Sequence, residues 1–101
     1  NDPSTPSISN FQLLQNYPNP FNPSTNIKFL VNDITLPYTL NIYNIKGQLI
    51  KTLFKGNLEK GTHNIIWEGT DSNGKPVSSG IYLYSLSNGK DNQIKGMVLM
   101  K

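Results

Sequence analysis

The sequence predicts an all-β fold in which two antiparallel sheets pack face to face. Three observations lead to this prediction: short apolar runs alternate with polar residues, Gly, Asn and Pro separate the runs, and no segment combines a helical apolar period with caps at both ends. The chain has 101 residues, enough for one domain with its own core. Only 15% of the residues are charged, but aromatic and β-branched residues are concentrated in the runs, which argues against disorder.

Six apolar runs lie about 8 to 12 residues apart along the chain, a spacing typical of a β-sandwich. The predicted strands are 25–31, 38–45, 49–54, 62–68, 81–87 and 93–100, and residues 11–17 are a candidate for a seventh strand at a sheet edge. Gly47 predicts a tight hairpin turn between the second and third runs, and Asn88-Gly89 predicts the turn before the last run.

Large aromatic residues on one side of these runs are predicted to fill the space between the sheets. They are Phe29, Trp67, Tyr82 and Tyr84. Two sheets packed about 10 Å apart leave room for side chains of this size. The predicted fold is therefore an immunoglobulin-like antiparallel β-sandwich of about seven strands. It has no disulfide, because the chain contains no Cys.

A Pro- and Asn-rich segment, residues 16–24, precedes the first of the six runs, and we call it the Pro/Asn box. It reads NYPNPFNPS. Its prolines, Pro18, Pro20 and Pro23, donate no backbone hydrogen bond and restrict the preceding residues to extended conformations. The box therefore cannot be a helix or a central strand. We expect a stiff lead-in that Tyr17 and Phe21 pin onto one end of the sandwich.

The distribution of charged and apolar residues predicts neither a nucleic-acid partner nor a membrane-spanning helix. The formal net charge of +3 comes from nine Lys and six acidic residues, with no Arg. Nucleic-acid-binding proteins usually cluster Arg, whereas these Lys are spread singly from Lys28 to Lys101. No apolar stretch approaches the roughly 20 residues that a membrane helix needs.

Residues suited to catalysis or metal binding are few and scattered. His63 is the only histidine and shares a strand side with Ile65 and Trp67, so we expect it to pack near a sheet edge. Five acidic residues fall in separate turns or at strand ends: Asp33, Glu59, Glu68, Asp71 and Asp91. The segment DSNGK begins like a calcium loop, but its sixth and twelfth positions are Pro76 and Tyr82 instead of Gly and Glu. We therefore expect no enzyme activity, no metal and no cofactor.

Four stretches of sequence are more specific than the β pattern alone. They are LQNYPNPFNPSTNIKF, LNIYNIKGQLIKTL, GTHNIIWEGTDSNGKPVSSGIYLYSL and KGMVLMK. Together they resemble the C-terminal sorting domain of the type IX secretion system in its type A form, whose layout is shared with the immunoglobulin-like domain of flagellar hook-capping proteins. The resemblance runs from Leu13 to Lys101. It includes the Pro/Asn box, a Gly-turn hairpin, a Trp-x-Gly strand end, a Ser-Gly-Ile-Tyr strand start and a short apolar tail.

The resemblance implies a function in protein export. Such domains end exported proteins, are recognised by the outer-membrane translocon and are commonly removed by a surface sortase. Residues 1–10 would then be a flexible linker to an upstream cargo in the same polypeptide, and 11–101 the sorting domain. The cargo would cross the periplasm to the cell surface or the medium. The residues that the resemblance assigns to partner recognition are Asn16, Tyr17, Pro18, Asn19, Pro20, Phe21, Asn22, Pro23, Lys95, Gly96, Met97, Val98, Leu99, Met100 and Lys101.

The apolar tail, residues 95–101, allows two interpretations. Its MVLM sequence is apolar on consecutive residues, so a strand there presents apolar side chains to both faces. The residues alone favour a last strand that is covered on both sides. The resemblance favours an edge strand that is left unpaired for a partner or for self-association with a second copy.

Two other functions are consistent with the same sequence. A structural immunoglobulin-like spacer, or a strand-donating assembly domain of a surface protein or filament, needs the same fold and the same apolar tail. A carbohydrate-binding module needs coplanar exposed aromatic rings, for which Tyr38, Tyr43 and Phe54 are the candidates.

Overall fold

The structure, a computed structural model, describes residues 10–101, and these form a sandwich of two antiparallel sheets with no helix among them. The strands are β1 Phe11–Leu13, β2 Thr25–Val31, β3 Tyr38–Asn44, β4 Leu49–Gly56, β5 Gly61–Trp67, β6 Gly80–Ser87 and β7 Asn92–Leu99. One sheet has the strand order β1-β2-β5 and the other has the order β4-β3-β6-β7. The predicted all-β, immunoglobulin-like class is confirmed. The predicted linker, residues 1–10, lies outside the described residues except for Asn10.

Both predicted hairpins are present, and an Asn side chain organises each turn. Between β3 and β4, the Asn44 Oδ1 atom accepts the backbone N–H groups of Lys46 and Gln48, at 2.9 and 3.0 Å. Between β6 and β7, the Asn88 Oδ1 atom accepts the N–H groups of Lys90 and Asp91, at 2.9 and 2.7 Å. An Asn that bonds its own backbone two residues on is a common turn device.

The first strand is shorter than predicted. The sequence suggested an edge strand over 11–17, but β1 ends at Leu13. The reason is a contact from the other sheet: the Tyr84 hydroxyl donates to the Leu14 carbonyl oxygen at 2.8 Å and accepts from the Asn16 N–H at 2.9 Å. These backbone groups are therefore turned toward Tyr84, and regular pairing with β2 is interrupted until the bridge between Tyr17 and Asn26.

The core lies between the sheets and consists mainly of inward residues of β1, β2, β3, β6 and the C-terminal half of β7, together with Trp67 of β5. The other inward residues of the edge strand β5, His63 and Ile65, are half-buried, as are those of the edge strand β4. The buried apolar residues are Phe11, Leu13, Phe21, Ile27, Phe29, Val31, Tyr38, Leu40, Ile42, Trp67, Tyr82, Tyr84, Leu86, Met97 and Leu99. The four aromatic residues predicted to fill this space are all among them. Each large side chain that leaves water contributes about 1.5–3 kcal/mol, so this set supplies the main stabilisation of the fold.

The seam between β1 and β7, which belong to different sheets, is closed by one side chain. The Gln93 Nε2 atom donates to the Phe11 carbonyl oxygen at 2.9 Å, and its Oε1 atom accepts the Leu13 N–H at 2.7 Å. The primary amide thereby satisfies two of the backbone groups that β1 directs away from β2. It takes the place of a neighbouring strand.

We expect Gln93→Ala to destabilise the domain by about 1–3 kcal/mol, because it leaves a partly buried N–H and C=O of β1 without partners. Urea unfolding followed by tryptophan fluorescence measures this loss. Gln12→Ala is the matched control, since Gln12 is an exposed residue of the same strand β1. A loss of stability no larger than in the control would contradict the bridging function of Gln93.

Candidate functional site

Five sequence motifs meet at one end of the sandwich, which we call the tail end. The strand pairs explain why: Thr25 at the start of β2 lies opposite Trp67 at the end of β5, and Gly80 at the start of β6 lies opposite Leu99 at the end of β7. The turn after β3 is at the same end, because Asn44 lies opposite Tyr82. The Pro/Asn box, the Gly-turn hairpin, the Trp-x-Gly and Ser-Gly-Ile-Tyr motifs and the apolar tail are thereby brought together.

The Pro/Asn box is hydrogen-bonded along the outer edge of β7. The Phe21 N–H donates to the Val98 carbonyl oxygen at 2.9 Å, and the Met100 N–H donates to the Phe21 carbonyl oxygen at 3.0 Å. Asn19 adds a third bond, because its Oδ1 atom accepts the Val98 N–H at 2.9 Å. Phe21 and Leu99 form a parallel bridge. The box therefore acts as a one-residue strand beside the tail.

Asn16 fixes the first turn of the box from inside the domain. Its side chain is buried, and its Nδ2 atom donates to Thr25 Oγ1 at 2.9 Å and to the Pro18 carbonyl oxygen at 3.2 Å. The Gln15 Nε2 atom donates to Asn16 Oδ1 at 2.7 Å and to the Gly96 carbonyl oxygen at 2.9 Å. Buried amide groups that are fully hydrogen-bonded favour a single backbone path.

Trp67 is the centre of packing at the tail end. Its ring lies 5.7 Å from the Phe21 ring of the box and 5.2 Å from the Tyr82 ring of β6, measured between ring centroids. Its Nε1–H donates to the Thr70 carbonyl oxygen at 2.9 Å. Two residues on, Gly69 has a φ angle of +71°, and a Cβ atom there would lie 3.0 Å from the Pro23 carbonyl oxygen and 3.5 Å from the Leu99 side chain. The Trp-x-Gly motif thus lets box and tail pack closely.

The start of β6 also holds the tail. The Tyr82 hydroxyl donates to the Ser78 carbonyl oxygen at 2.7 Å. The Lys101 N–H donates to Ser79 Oγ at 3.0 Å. The Ser-Gly-Ile-Tyr motif therefore anchors the chain after β7 ends at Leu99.

The residues that sequence analysis assigned to partner recognition divide by burial. The side chains of Asn16, Phe21, Met97 and Leu99 lie in the core. Lys95 and Val98 are half-buried, and the exposed members are Tyr17, Pro18, Asn19, Pro20, Asn22, Pro23, Gly96, Met100 and Lys101. In the folded domain a partner can reach the exposed group and not the side chains in the core. Their function in recognition stays a prediction.

Two expectations about these segments are wrong in part. Phe21 pins the box to the sandwich as expected, but the Tyr17 side chain is 80% exposed. Tyr17 contributes only its backbone, because it bridges Asn26, whose side chain lies on the outer face of its sheet. The last strand is an edge strand, yet its edge is not unpaired: Gln15, Asn19 and Phe21 bond it from Gly96 to Met100.

An apolar area covers the outer face of the β4-β3-β6-β7 sheet near the tail end. Ile81 lies opposite Val98, and Leu83 lies opposite both Tyr43 and Gly96. We call the set Tyr43, Leu49, Ile81, Leu83 and Val98 the tail-end apolar face, which Ile45 and Met100 extend. The exposed members are Ile45, Leu49, Ile81 and Met100. The outer face of the other sheet instead carries Gln12, Asn26, Lys28, Thr62 and Asn64, with Ile66 the exposed large apolar residue there.

The aromatic residues considered for carbohydrate binding do not form an exposed platform. Tyr38 is buried and packs edge-on against Phe11, with ring centroids 5.5 Å apart. Phe54 is half-buried against the core. Tyr43 is half-buried on the outer face, where its hydroxyl accepts a bond from Asn41 Nδ2 at 3.1 Å. The period of the strands turns Tyr38 inward and Tyr43 outward, so the three rings cannot be coplanar.

Groups with acid–base or metal-binding capacity lie apart within residues 10–101, where no three of His, Asp and Glu come together as metal ligands. His63 is half-buried on the edge strand β5, stacks on Phe29 at 5.5 Å and donates from Nε2 to the Glu59 carbonyl oxygen at 2.6 Å. Asp71 Oδ1 accepts the N–H groups of Asn73 and Lys75, at 2.9 and 3.0 Å, which is a turn and not a calcium loop. Hydrogen bonds from Thr35 lower the pKa of the Asp33 carboxyl. Within the part of the chain that the structure describes, there is no helix long and apolar enough to span a membrane.

The fold and these motifs define an immunoglobulin-like domain, and comparison with known proteins gives its family. The sequence matches the FlgD Ig-like domain family over residues 23–92, more than half of the chain, so the chain belongs to this family. No curated protein gives a significant match to the sequence.

Solved structures with the same fold include three bacterial proteins. Dimeric latent PorU from Porphyromonas gingivalis has 21% sequence identity and a TM-score of 0.70 over 89% of this chain. PorZ, a surface component of the type IX secretion system of Porphyromonas gingivalis, has 17% identity and a TM-score of 0.56 over 86%. FlgD from P. aeruginosa has 16% identity and a TM-score of 0.59 over 89%. The chain spans 9% of the PorU chain, 11% of the PorZ chain and 64% of the FlgD chain.

We expect Gly69→Ala to destabilise the domain more than Gly74→Ala does. Both glycines have positive φ angles, +71° and +79°, and Ala costs about 1–2 kcal/mol in this region. Only at Gly69 would the new methyl group also press on Pro23 and Leu99, which adds about 1–3 kcal/mol of overpacking. Urea unfolding of the two variants separates the terms. Equal losses would mean that box and tail do not pack as closely as described.

Alkaline pH should destabilise the domain through Tyr84. Burial raises the pKa of the Tyr84 phenol above its ordinary value of 10.0, although the bond from the Asn16 N–H opposes the shift. The protonated Tyr84 hydroxyl therefore contributes to the free energy of unfolding. This contribution is fully present below pH 10.0 and is lost as the pH rises through the folded-state pKa, because the unfolded chain releases the proton first. We expect Tyr84→Phe to be less stable at neutral pH and to lose less stability between about pH 8 and pH 11 than the wild type. Tyr17→Phe, at an exposed tyrosine, is the control. A pH dependence in Tyr84→Phe as steep as in the wild type would contradict this.

Proposed function

We propose that the chain is a C-terminal sorting domain of the type IX secretion system, of type A, that directs an upstream cargo across the outer membrane. The single observation that carries the proposal is the hydrogen-bonded contact between the Pro/Asn box and the apolar tail. The two segments are far apart in sequence, with 79 positions between Asn19 and Val98, and the sorting-domain resemblance assigns both of them to recognition. Their joint surface at the tail end is the natural binding site for a receptor.

The structural neighbours support this proposal through the fold. PorZ is described as a surface component of the type IX secretion system, and PorU and PorZ both contain a domain with this architecture. At 21% and 17% identity the likeness concerns the fold alone. The assignment to sorting domains therefore depends on the box, the Trp-x-Gly motif and the tail.

In this proposal the domain acts by recognition and not by catalysis. The translocon would bind the exposed side chains of the tail end, and the tail-end apolar face would supply most of the apolar contact area. A sortase would then cut upstream of β1, and the cargo would remain at the surface or be released. The cofactor-free chemistry expected from the sequence fits a binding domain of this kind.

Negative charges introduced by substitution on the tail-end surface should reduce export without unfolding the domain. We expect Ile81→Glu combined with Met100→Glu to reduce surface delivery of a fused reporter by roughly tenfold, with the reporter retained in the periplasm. Both residues are more than half exposed, at 55% and 57%. The assay compares periplasmic and surface fractions in a host that has the type IX pathway.

The control is Ile34→Glu, at an apolar residue of similar exposure, 58%, in the loop between β2 and β3 at the opposite end of the sandwich. Thermal unfolding of the purified domains establishes that all variants fold. Normal surface delivery of the folded double variant would refute recognition through this face. Deletion of the whole tail is a poorer test, because it removes Met97 and Leu99 from the core.

The family assignment favours a second candidate function, a structural spacer or an assembly domain. The FlgD Ig-like domain match covers strands β2 to β6 and omits β1, most of the Pro/Asn box and the whole apolar tail, since it runs from residue 23 to residue 92. A spacer would remain in the mature surface protein, whereas a processed sorting domain would be removed. Mass spectrometry of the mature protein distinguishes the two, because peptides from residues 25–92 are present at the surface only in the first case.

A further inference from the structure

The two sheets have four edges, and three of them are protected. Gln93 lies along β1 and bonds two of its outward groups, the Phe11 C=O and the Leu13 N–H. The Pro/Asn box is hydrogen-bonded to the outer edge of β7 at the C-terminal end of the strand, at Val98 and Met100. β4 has two register shifts against β3, carries Lys51 and Lys55, and has its Ile50 carbonyl oxygen bonded by Ser72. Bulges, lysines and covering segments are the usual means by which sheet edges are kept from pairing.

The fourth edge, β5, has none of these protections. Its seven residues, GTHNIIW, contain no Lys, Arg, Asp, Glu or Pro. Its pairing with β2 runs from Gly61 to Trp67 without a register shift. A long, regular and uncharged edge strand is a template for another strand.

The register shows which groups of β5 face outward. Asn26 of β2 exchanges two backbone hydrogen bonds with Tyr17, at 2.9 and 3.0 Å, so its N–H and C=O face away from β5. Hydrogen-bonding groups alternate along a strand, so the β5 residues opposite Asn26, Lys28 and Leu30 direct their backbone groups outward. These are Ile66, Asn64 and Thr62. Within residues 10–101 their N–H and C=O groups have no hydrogen-bond partner.

We propose that β5 is a dimerisation edge that pairs antiparallel with β5 of a second copy of this chain. The inference goes beyond the proposed export function and does not depend on it. The two-fold axis passes beside Asn64, which lies opposite Asn64 of the second copy, while Thr62 lies opposite Ile66. These three pairs exchange about six backbone hydrogen bonds. The three-stranded sheets join into one continuous six-stranded sheet.

A second copy fits this edge because the pairing is self-complementary. No charged residue of β5 meets a like charge, which is the usual cost of antiparallel self-pairing. Lys28 is the nearest lysine on the outer face, one strand further in. The two Lys28 residues are three strand spacings apart, about 14 Å, which is beyond the Debye length of about 8 Å at physiological salt. Ile66, 61% exposed in one copy, gains a cross-strand neighbour in Thr62.

The β5–β5 pairing also gives a closed dimer and not an open chain of copies. It uses the same patch on both copies, and the other three edges are covered or irregular, so a third copy has no comparable edge to join. The expected product is a dimer in equilibrium with the monomer, and not a fibre.

Sedimentation velocity over a concentration series of the 101-residue chain tests the proposal. We expect a reversible monomer–dimer equilibrium. Asn64→Lys and Asn64→Asp should each weaken it by roughly fivefold or more, because they place like charges opposite one another at the axis. An equimolar mixture of the two variants should restore the dimer, since Lys then lies opposite Asp.

Two controls distinguish this edge from other surfaces. Ile94→Lys puts the same charge on the edge strand β7, at a residue that is also exposed, and should leave the dimer unchanged. Asn26→Ala removes the side-chain bond to Asn64 Oδ1 without changing the β5 edge, and should also have no effect. If either Asn64 variant fails to fold, Ile66→Lys on the same edge takes its place.

Hydrogen–deuterium exchange gives an independent measurement on the unmodified chain. The amide protons of Thr62, Asn64 and Ile66 should exchange slowly at high protein concentration and fast at low concentration, with no such change on β7. A chain that remains monomeric throughout the series would overturn the proposal. So would a dimer that Ile94→Lys breaks, or a dimer that the mixture of charge variants fails to restore. Binding of an extended peptide of another sequence by β5 in a monomeric chain would give the edge a different occupant and would also overturn it.

Discussion

The contact between Phe21 and the tail strand is the constraint on which the tail end depends. The Pro/Asn box has few backbone donors, because its three prolines have none. Phe21 supplies both an N–H and a C=O to β7, and its ring packs against Trp67. The Asn19 side chain adds an acceptor, because its Oδ1 atom accepts the Val98 N–H. Without this contact, Gly69 has no close neighbour to accommodate and the edge of β7 is open.

This arrangement gives the tail two distinct functions in one strand. Met97 and Leu99 face the core and help to hold the sheets together, whereas Val98 and Met100 belong to the outer face. A partner that binds the outward side chains of the tail therefore binds them only when the inward side chains are packed in the core. Recognition through this surface would favour a folded domain over an unfolded one, since the exposed set comes together only in the sandwich.

The strands and the core could be predicted from the sequence because both depend on local alternation. All six runs became strands, one with the predicted ends and five with ends shifted by one or two residues, and the predicted core aromatics are buried. The parts that failed depend on contacts between distant residues. β1 stops early because of Tyr84, 70 positions from Leu14, and the tail edge is covered by Asn19, 79 positions from Val98. The predicted run 62–68 included the charged Glu68, and the open edge became distinct only with the observed bounds: β5, residues 61–67, has no charge or proline, whereas β4, residues 49–56, has two lysines.

The covered and the open edges lie in different sheets, and this separation has a physical consequence. The chain uses its own box to occupy the edge of the tail, so the outward backbone groups from the Gly96 C=O to the Met100 N–H are already hydrogen-bonded and mainly side chains remain for a partner there. The edge of β5 offers backbone groups and few apolar side chains. A contact at one edge therefore leaves the other accessible. A dimer joined through β5 would present two tail-end apolar faces, each available to a receptor, and two linked sites bind a multivalent partner more tightly than either alone.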